Sequence, residues 1–328
     1  MAGRNGGCMN IVDMHCDTLL ECYLNRQPLR DAPNQVNLEK LQRGGCLAQC
    51  FAIFVVSNDS SERLGVSLSP YDFYRDVHAL YLDEMAKNTD VIAPAFCAPD
   101  IEANRDKGLM SSVLTIEDLI AVDGKIERID EFFSDGVRMA SLTWNYENCI
   151  GYPNSADAAL HAKGLKPFGF EVLERMNELG MIVDVSHLTE GGFDDVAKHA
   201  KKPFVASHSN ARAIASHQRN LTDRQLKMVA EKGGIIGINF CARFLEDNAD
   251  HSTIDNIVKH MIYIRDKAGI ETLAWGSDLD GIQGSILEYE DYAGFPRITD
   301  ALTKHFGDDE IDLINSGNFM RVFRDNAG

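Results

Sequence analysis

Eight short apolar or β-branched runs, separated by longer stretches whose apolar residues recur at helical spacing, constrain this 328-residue chain more than any other feature. The runs are Ile11 to Met14, Ala48 to Val56, Val113 to Ile116, Met139 to Thr143, Met181 to Val185, Phe204 to Ala206, Ile235 to Ile238 and Thr272 to Trp275. Strands alternating with helices in this way are the pattern of βα units feeding one parallel sheet. A ninth run, Val91 to Phe96, carries Pro94 in its middle and is expected only as an edge or accessory strand, because proline cannot donate to a ladder. Helices are expected at Tyr71 to Lys87, Phe168 to Leu179, Gly192 to His199, Asp223 to Lys232 and Thr253 to Ala268, the last starting at Thr253-Ile254-Asp255-Asn256 and stopping at Gly269. The fold class that follows is α/β, a (β/α)8 TIM-like barrel, with no linker or repeat dividing residues 1–328 into more than one domain.

A barrel of this kind gathers its chemistry where its strands end. The first run is followed by His15 and Asp17, the third by Glu117, the fourth by Trp144 and Asn145, the fifth by His187, the sixth by His208, the seventh by Asn239 and the eighth by Asp278. All of these positions share the C-terminal rim, so residues far apart in sequence converge.

Residues two apart on an extended chain face the same way, so His15 and Asp17 can grip one cation together, and an imidazole with a carboxylate suits zinc. A polar strand end with a satisfied histidine gives the same short pattern. Val185-Ser186-His187 and Ala206-Ser207-His208 repeat one design 21 residues apart, about one strand-to-strand repeat, which makes the two imidazoles neighbours. Either histidine alone reads equally well as a helix cap or a core filler. Glu117 stands in strand order between these pairs, and a carboxylate there can bridge two metals, although Asp118 beside it also allows a surface reading. Asp278, in Gly276-Ser277-Asp278-Leu279-Asp280-Gly281, reaches the rim as a proton shuttle or forms an Asx-type turn, a role that Asp280-Gly281 fits better. His78, His161, His199, His251, His260 and His305 fall away from strand ends and are expected to be structural or exposed; His217 is left open.

With 50 acidic against 32 basic residues the net charge is -18, which opposes binding to nucleic acid and to anionic membrane surfaces. There is no apolar run long enough to span a bilayer and no signal peptide, so a cytoplasmic protein is expected. The eight cysteines lack CxxC spacing and read as reduced core residues.

Taken together, Asp13-Met14-His15-Cys16-Asp17-Thr18, Ser207-His208-Ser209-Asn210-Ala211, Arg219-Asn220 and Gly276-Ser277-Asp278-Leu279-Asp280-Gly281 resemble, in order, the motifs of the membrane (renal) dipeptidase family, peptidase family M19, among the amidohydrolase-like barrels. The resemblance implies a metallodipeptidase with two Zn2+ per chain. One zinc is held by His15, Asp17 and Glu117, the other by Glu117, His187 and His208, and a metal-bridging hydroxide is the nucleophile. It further implies that Arg219 binds the substrate carboxylate and that Asp278 is the acid/base near the amino group. These roles agree with the chemistry of the residues themselves, since metals activate water and a guanidinium fork matches a carboxylate. Where many members have a histidine that positions the scissile carbonyl, this chain has Trp144-Asn145, and Asn145 is expected to donate that hydrogen bond instead. By analogy, dipeptides with a D-residue at the C-terminal position, or peptidoglycan fragments, are expected among the substrates. Homodimers are common in that family. Two other readings use the same barrel: a deaminase or lactonase of the amidohydrolase type, whose bridging ligand is commonly a lysine, and a metal-binding barrel without catalysis.

Overall fold

The computed structural model describes residues 9–57, 60–61 and 64–327. Its strands are β1 (Ile11–Cys16), β2 (Cys46–Phe54), β3 (Ile92–Pro94), β4 (Met110–Glu117), β5 (Val137–Ser141), β6 (Ile182–Asp184), β7 (Val205–Ala206), β8 (Ile235–Ile238), β9 (His251–Ser252), β10 (Leu273–Trp275) and β11 (Ile286–Leu287). Parallel pairing runs β1, β2, β4, β5, β6, β7, β8, β10 and back to β1, closing a barrel of eight strands with helices between them. The chain is therefore a (β/α)8 barrel. β3 lies outside the ring, paired with Met110 to Ser112 at the start of β4, while β5 takes the same side of β4 from Leu114 onward. Pro94 is tolerated there because β3 is an edge. β9 and β11 form a separate two-stranded ribbon.

Two apolar layers hold the barrel. One lies inside and below it, where Val12, Met14, Cys50, Val113, Met139, Ile182, Val205, Ile235 and Ala274 meet Phe319 and Phe323 of the C-terminal helix Asn318–Ala327. That helix touches β6, β8 and β10 and so plugs the N-terminal end of the barrel. The other lies between the strands and the surrounding helices. Helix Ile254–Ala268 begins as its sequence specifies: Thr253 caps it by accepting a hydrogen bond from the Asn256 amide. β1 is longer than its apolar run, because His15 and Cys16 keep the extended conformation and pair onward against β2.

The seam where the first strand meets the last is polar. Asp13 accepts hydrogen bonds from the Ser277 amide at 2.8 Å and the Ser277 hydroxyl at 2.6 Å, and the Asp278 amide donates to the His15 carbonyl at 3.1 Å. Barrel closure thereby sets the positions of His15 and Asp278 together.

Candidate metal centre

His15 lies within β1 and Asp17 directly after it, Glu117 is the last residue of β4, and His187 and His208 follow β6 and β7. The rim brings all five together. Glu117 stands between two groups: its Oε1 lies 2.9 Å from His187 Nε2 and 3.6 Å from His208 Nε2, and its Oε2 lies 3.5 Å from His15 Nε2. His15 Nε2 in turn lies 3.7 Å from Asp17 Oδ1 and 3.8 Å from Asp278 Oδ1. By distance alone Asp278 is as close to this nitrogen as Asp17 is.

These residues fit metal ions on three observations. His15 Nε2, Asp17 Oδ1 and Glu117 Oε2 are buried and have no hydrogen-bond partner, an arrangement that costs roughly 1–3 kcal/mol per group unless something fills the space between them. The Nε2 atoms of His187 and His208 lie 2.9 Å apart, which two unprotonated imidazole nitrogens tolerate only around a shared proton or cation. Finally, Gly281 lets two carboxylates crowd together against the backbone: a Cβ there would come within 2.2 Å of Asp17 Oδ2 and 2.5 Å of Asp278 Oδ1.

The electrostatics reflect several carboxylates buried together. Burial raises the Asp17 carboxyl well above the usual range, with Glu117 adding to it. Burial also raises Asp278 to about 6. Burial opposes a charge on His15, yet Glu117, with Asp17 and Asp278, outweighs it and lifts His15 to about 10. His187 is pushed down to about 4 by burial and by the Arg219 charge, and burial holds His208 well below its ordinary value. Such a cluster takes up positive charge as protons or as metal ions.

Supporting hydrogen bonds fix the imidazoles. His208 Nδ1 donates to Ser207 Oγ at 2.7 Å, and Ser207 Oγ donates to the Asp184 carboxylate, which also accepts from the Ser186 and Ser207 amides. This chain leaves Nε2 as the unprotonated nitrogen of His208. His187 Nδ1 donates to Asn145 Oδ1 at 3.0 Å. Asn145 thus holds a histidine with its oxygen while lining the cleft. Sequence reasoning missed Asp184 and Ser207, although a signal existed: Asp184 stands two residues before Ser186, as Asp13 stands two before His15. His187 (φ 72°) and Asp278 (φ 60°) adopt the left-handed conformation, as does Asp118 beside Glu117 (φ 71°), so the backbone at three strand ends is strained at the site.

Arg219 is the buried cation of the same cleft, 6% exposed. Its guanidinium donates to the His208 carbonyl at 3.2 Å and lies 3.5 Å from Ser209 Oγ, and it has no carboxylate within ion-pair distance among the described residues. Burial lowers its pKa. His217 also lines the cleft, with Nδ1 accepting from the Arg219 amide at 3.2 Å and its ring 4.6 Å from that of Phe244. His260, by contrast, is structural: fully buried, it accepts from the Ala211 amide at 3.1 Å and donates to the Leu245 carbonyl at 2.9 Å.

The cleft over these residues has a volume of about 370 Å³, with Phe54 and Trp144 on one side and Arg219, Arg243 and Phe244 on another. A wider hollow of about 900 Å³ between helices Thr18–Asn25 and Pro70–Lys87 collects no metal-ligating cluster among the described residues.

The sequence pattern of the membrane dipeptidases (peptidase family M19) matches residues 7–327. The chain belongs to this family. Members are metallodipeptidases, and this chain is a hydrolase of that kind. It is 34% identical over 266 residues, 78% of this chain and 96% of the relative, to an uncharacterized protein in the pqqA 5' region of Klebsiella pneumoniae. It is 27% identical over 311 residues, 91% of this chain and 71% of the relative, to dipeptidase tcpJ of Claviceps purpurea. Among solved structures, a metallopeptidase of Rhodobacter sphaeroides bound to a phosphinate mimic of the dipeptide L-Ala-D-Ala superposes with a TM-score of 0.87 at 24% identity, covering 98% of this chain and all (100%) of the other. The probable dipeptidase PvdM of Pseudomonas aeruginosa superposes with a TM-score of 0.87 at 18% identity, covering 97% and 95%. No helix among the described residues is long and apolar enough to cross a membrane.

Proposed function

We propose that this M19 dipeptidase is a binuclear zinc enzyme that cleaves dipeptides and accepts a D-residue at the C-terminal position. The observation that carries the reading is the division of Glu117: one oxygen faces His187 and His208, the other faces His15, whose Nε2 also neighbours Asp17. His15, Asp17 and Glu117 would hold one zinc, and Glu117, His187 and His208 the other. Zinc bound there polarises the scissile carbonyl and lowers the pKa of water.

The remaining chemistry belongs to the chain's own groups. Arg219, a buried guanidinium without a carboxylate partner among the described residues, takes the free α-carboxylate that every dipeptide carries, and so sets the peptide's direction in the cleft. Asp278 has one oxygen anchored by Asn239 Nδ2 at 2.8 Å and the other 3.8 Å from His15 Nε2. There it accepts a proton from the attacking water and returns it to the departing amine, which leaves poorly unless protonated. Asn145 orients His187 with Oδ1, and its amide nitrogen, which has no other partner among the described residues, donates to the substrate carbonyl. The D-residue rests on the ligand of the Rhodobacter sphaeroides relative.

The test is metal analysis of the purified protein together with a dipeptide panel containing L-Ala-D-Ala, L-Ala-L-Ala and their C-terminal amides. About two zincs per chain and cleavage of the free acids only are expected. A single zinc at full activity overturns the binuclear reading, and equal turnover of the amides overturns the role of Arg219.

A further inference from the structure

The cleft carries a second arginine that recognition of a simple dipeptide does not use. Arg243 lies on the short helix Ala242–Leu245 that follows β8, and it lines the same cleft as Arg219. Its side chain is exposed and has no hydrogen bond or ion pair among the described residues. In a chain with 50 acidic and 32 basic residues, Arg212, Arg224 and Arg265 by contrast pair with Glu190, Asp194 and Asp266.

The two guanidinium groups belong to one cluster. Arg219 lies 5.5 Å from the centre of the Phe244 ring, and the His217 ring lies 4.6 Å from the same ring. Both arginine charges act on His217, where burial is the larger effect and all of them keep the imidazole neutral. With Nδ1 accepting from the Arg219 amide, neutral His217 carries its proton on Nε2 and remains a donor. The Arg243 guanidinium reaches over the loop after Asp280, where a Cβ on Gly284 would lie 3.9 Å from its Nη2. The cationic side of the cleft therefore has a buried guanidinium, an imidazole N–H and an exposed guanidinium, while the opposite side, with Phe54 and Trp144 packed edge to face at 4.6 Å, is apolar.

We propose that Arg243 selects substrates with a second carboxylate on the C-terminal residue, so that the preferred dipeptides end in an acidic amino acid. The α-carboxylate is met by Arg219 and the side-chain carboxylate by Arg243, with the N-terminal side chain against Phe54 and Trp144. This rests on the placement of the α-carboxylate at Arg219 argued above. An arginine fork is suited to the task, because a carboxylate accepts two of its N–H groups at once.

The experiment compares kcat/KM for Ala-Glu and its isostere Ala-Gln, in both configurations of the C-terminal residue, between the native holoenzyme and the R243Q and R243K variants. Native enzyme should favour Ala-Glu over Ala-Gln by about fivefold or more, the size of one partly screened, charge-assisted contact. R243Q should bring that ratio toward unity, R243K should retain part of it, and the native preference should shrink as salt is raised. A native enzyme that cleaves Ala-Gln and L-Ala-D-Ala without preferring Ala-Glu overturns the role of Arg243 alone, as does a ratio that R243Q leaves in place. An enzyme that cleaves no dipeptide of the panel, Ala-Glu included, overturns the underlying dipeptidase site together with this proposal.

Discussion

Asn145 Oδ1 accepts a hydrogen bond from His187 Nδ1 at 3.0 Å, which turns Nε2 of that imidazole toward Glu117. Removing the acceptor frees the ring. Asn145→Ala should weaken one of the two metals by roughly ten- to a hundredfold, the usual cost of losing a partner behind a ligating histidine, while Asn145→Asp should keep it. Zinc titration against a competing chelator reads the difference; equal affinities in all three proteins would show that the bond does not orient His187.

Gly281 is where three groups meet. With a methyl placed 2.2 Å from Asp17 Oδ2, Gly281→Ala must push that carboxylate aside. Zinc content should fall toward one per chain with little change in the secondary structure seen by circular dichroism. Two tightly held zincs in the variant would place Asp17 outside the ligand set.

For Asp278, the expected outcome is chemical rather than structural. Asp278→Asn keeps the hydrogen-bonding shape but cannot carry a proton, so kcat should drop at least about a hundredfold on every dipeptide cleaved, the low end for general acid–base catalysis. Both zincs should remain. Loss of one zinc would make Asp278 a ligand, which its 3.8 Å approach to His15 Nε2 permits.

Arg219→Lys keeps the charge and loses the fork. KM for free dipeptides should rise about tenfold or more with metal content unchanged, because a bidentate pair becomes a single contact. The ratio of KM for L-Ala-D-Ala in the two proteins checks it directly, and an unchanged KM would move the carboxylate elsewhere.

His260 gives the fold a pH dependence of its own. Burial lowers its pKa from 6.5 to about 4, so the folded state favours the neutral ring. A depressed value means that this contribution is fully present above pH 6.5 and is lost as pH falls through 4, a swing of about 3 kcal/mol at most. Urea unfolding at pH 7 and at pH 4 should show a smaller loss of stability for His260→Gln than for the native chain. Equal losses would show that the ring is not buried neutral.

The barrel was legible because each strand is a short apolar run closed by a polar residue, and Pro94 correctly excluded β3 from the ring. The positions of the five candidate rim residues were legible for the same reason: each stands at or close to the end of its strand. What pattern reading could not supply is anything carried by contacts between distant segments. Asp184 looked like strand interior, yet its two oxygens organise Ser186, Ser207 and through them His208. His217 was undecidable because its place depends on how the segment from Ser209 to Leu221 folds over the rim, pinned by His260 from a helix some 40 residues onward, 49 from Ala211 to His260. Helices Leu38–Gly44 and Ala98–Asp106 were missed because they are too short to show a clear period.

The polar seam between Asp13 and Ser277 has a consequence for synthesis. The five candidate ligands His15, Asp17, Glu117, His187 and His208 are all present once the ribosome has passed His208, but the ring that aligns them closes only when Leu273–Trp275 settles beside Ile11–Cys16 and Ser277 reaches Asp13. Contacts 264 positions apart in the chain are late events. A nascent chain therefore carries its rim residues unaligned for most of its elongation, and on the proposed reading of the site it would gain metal affinity in a single step near the end, so that metal loading would report completed synthesis and not merely the presence of the side chains.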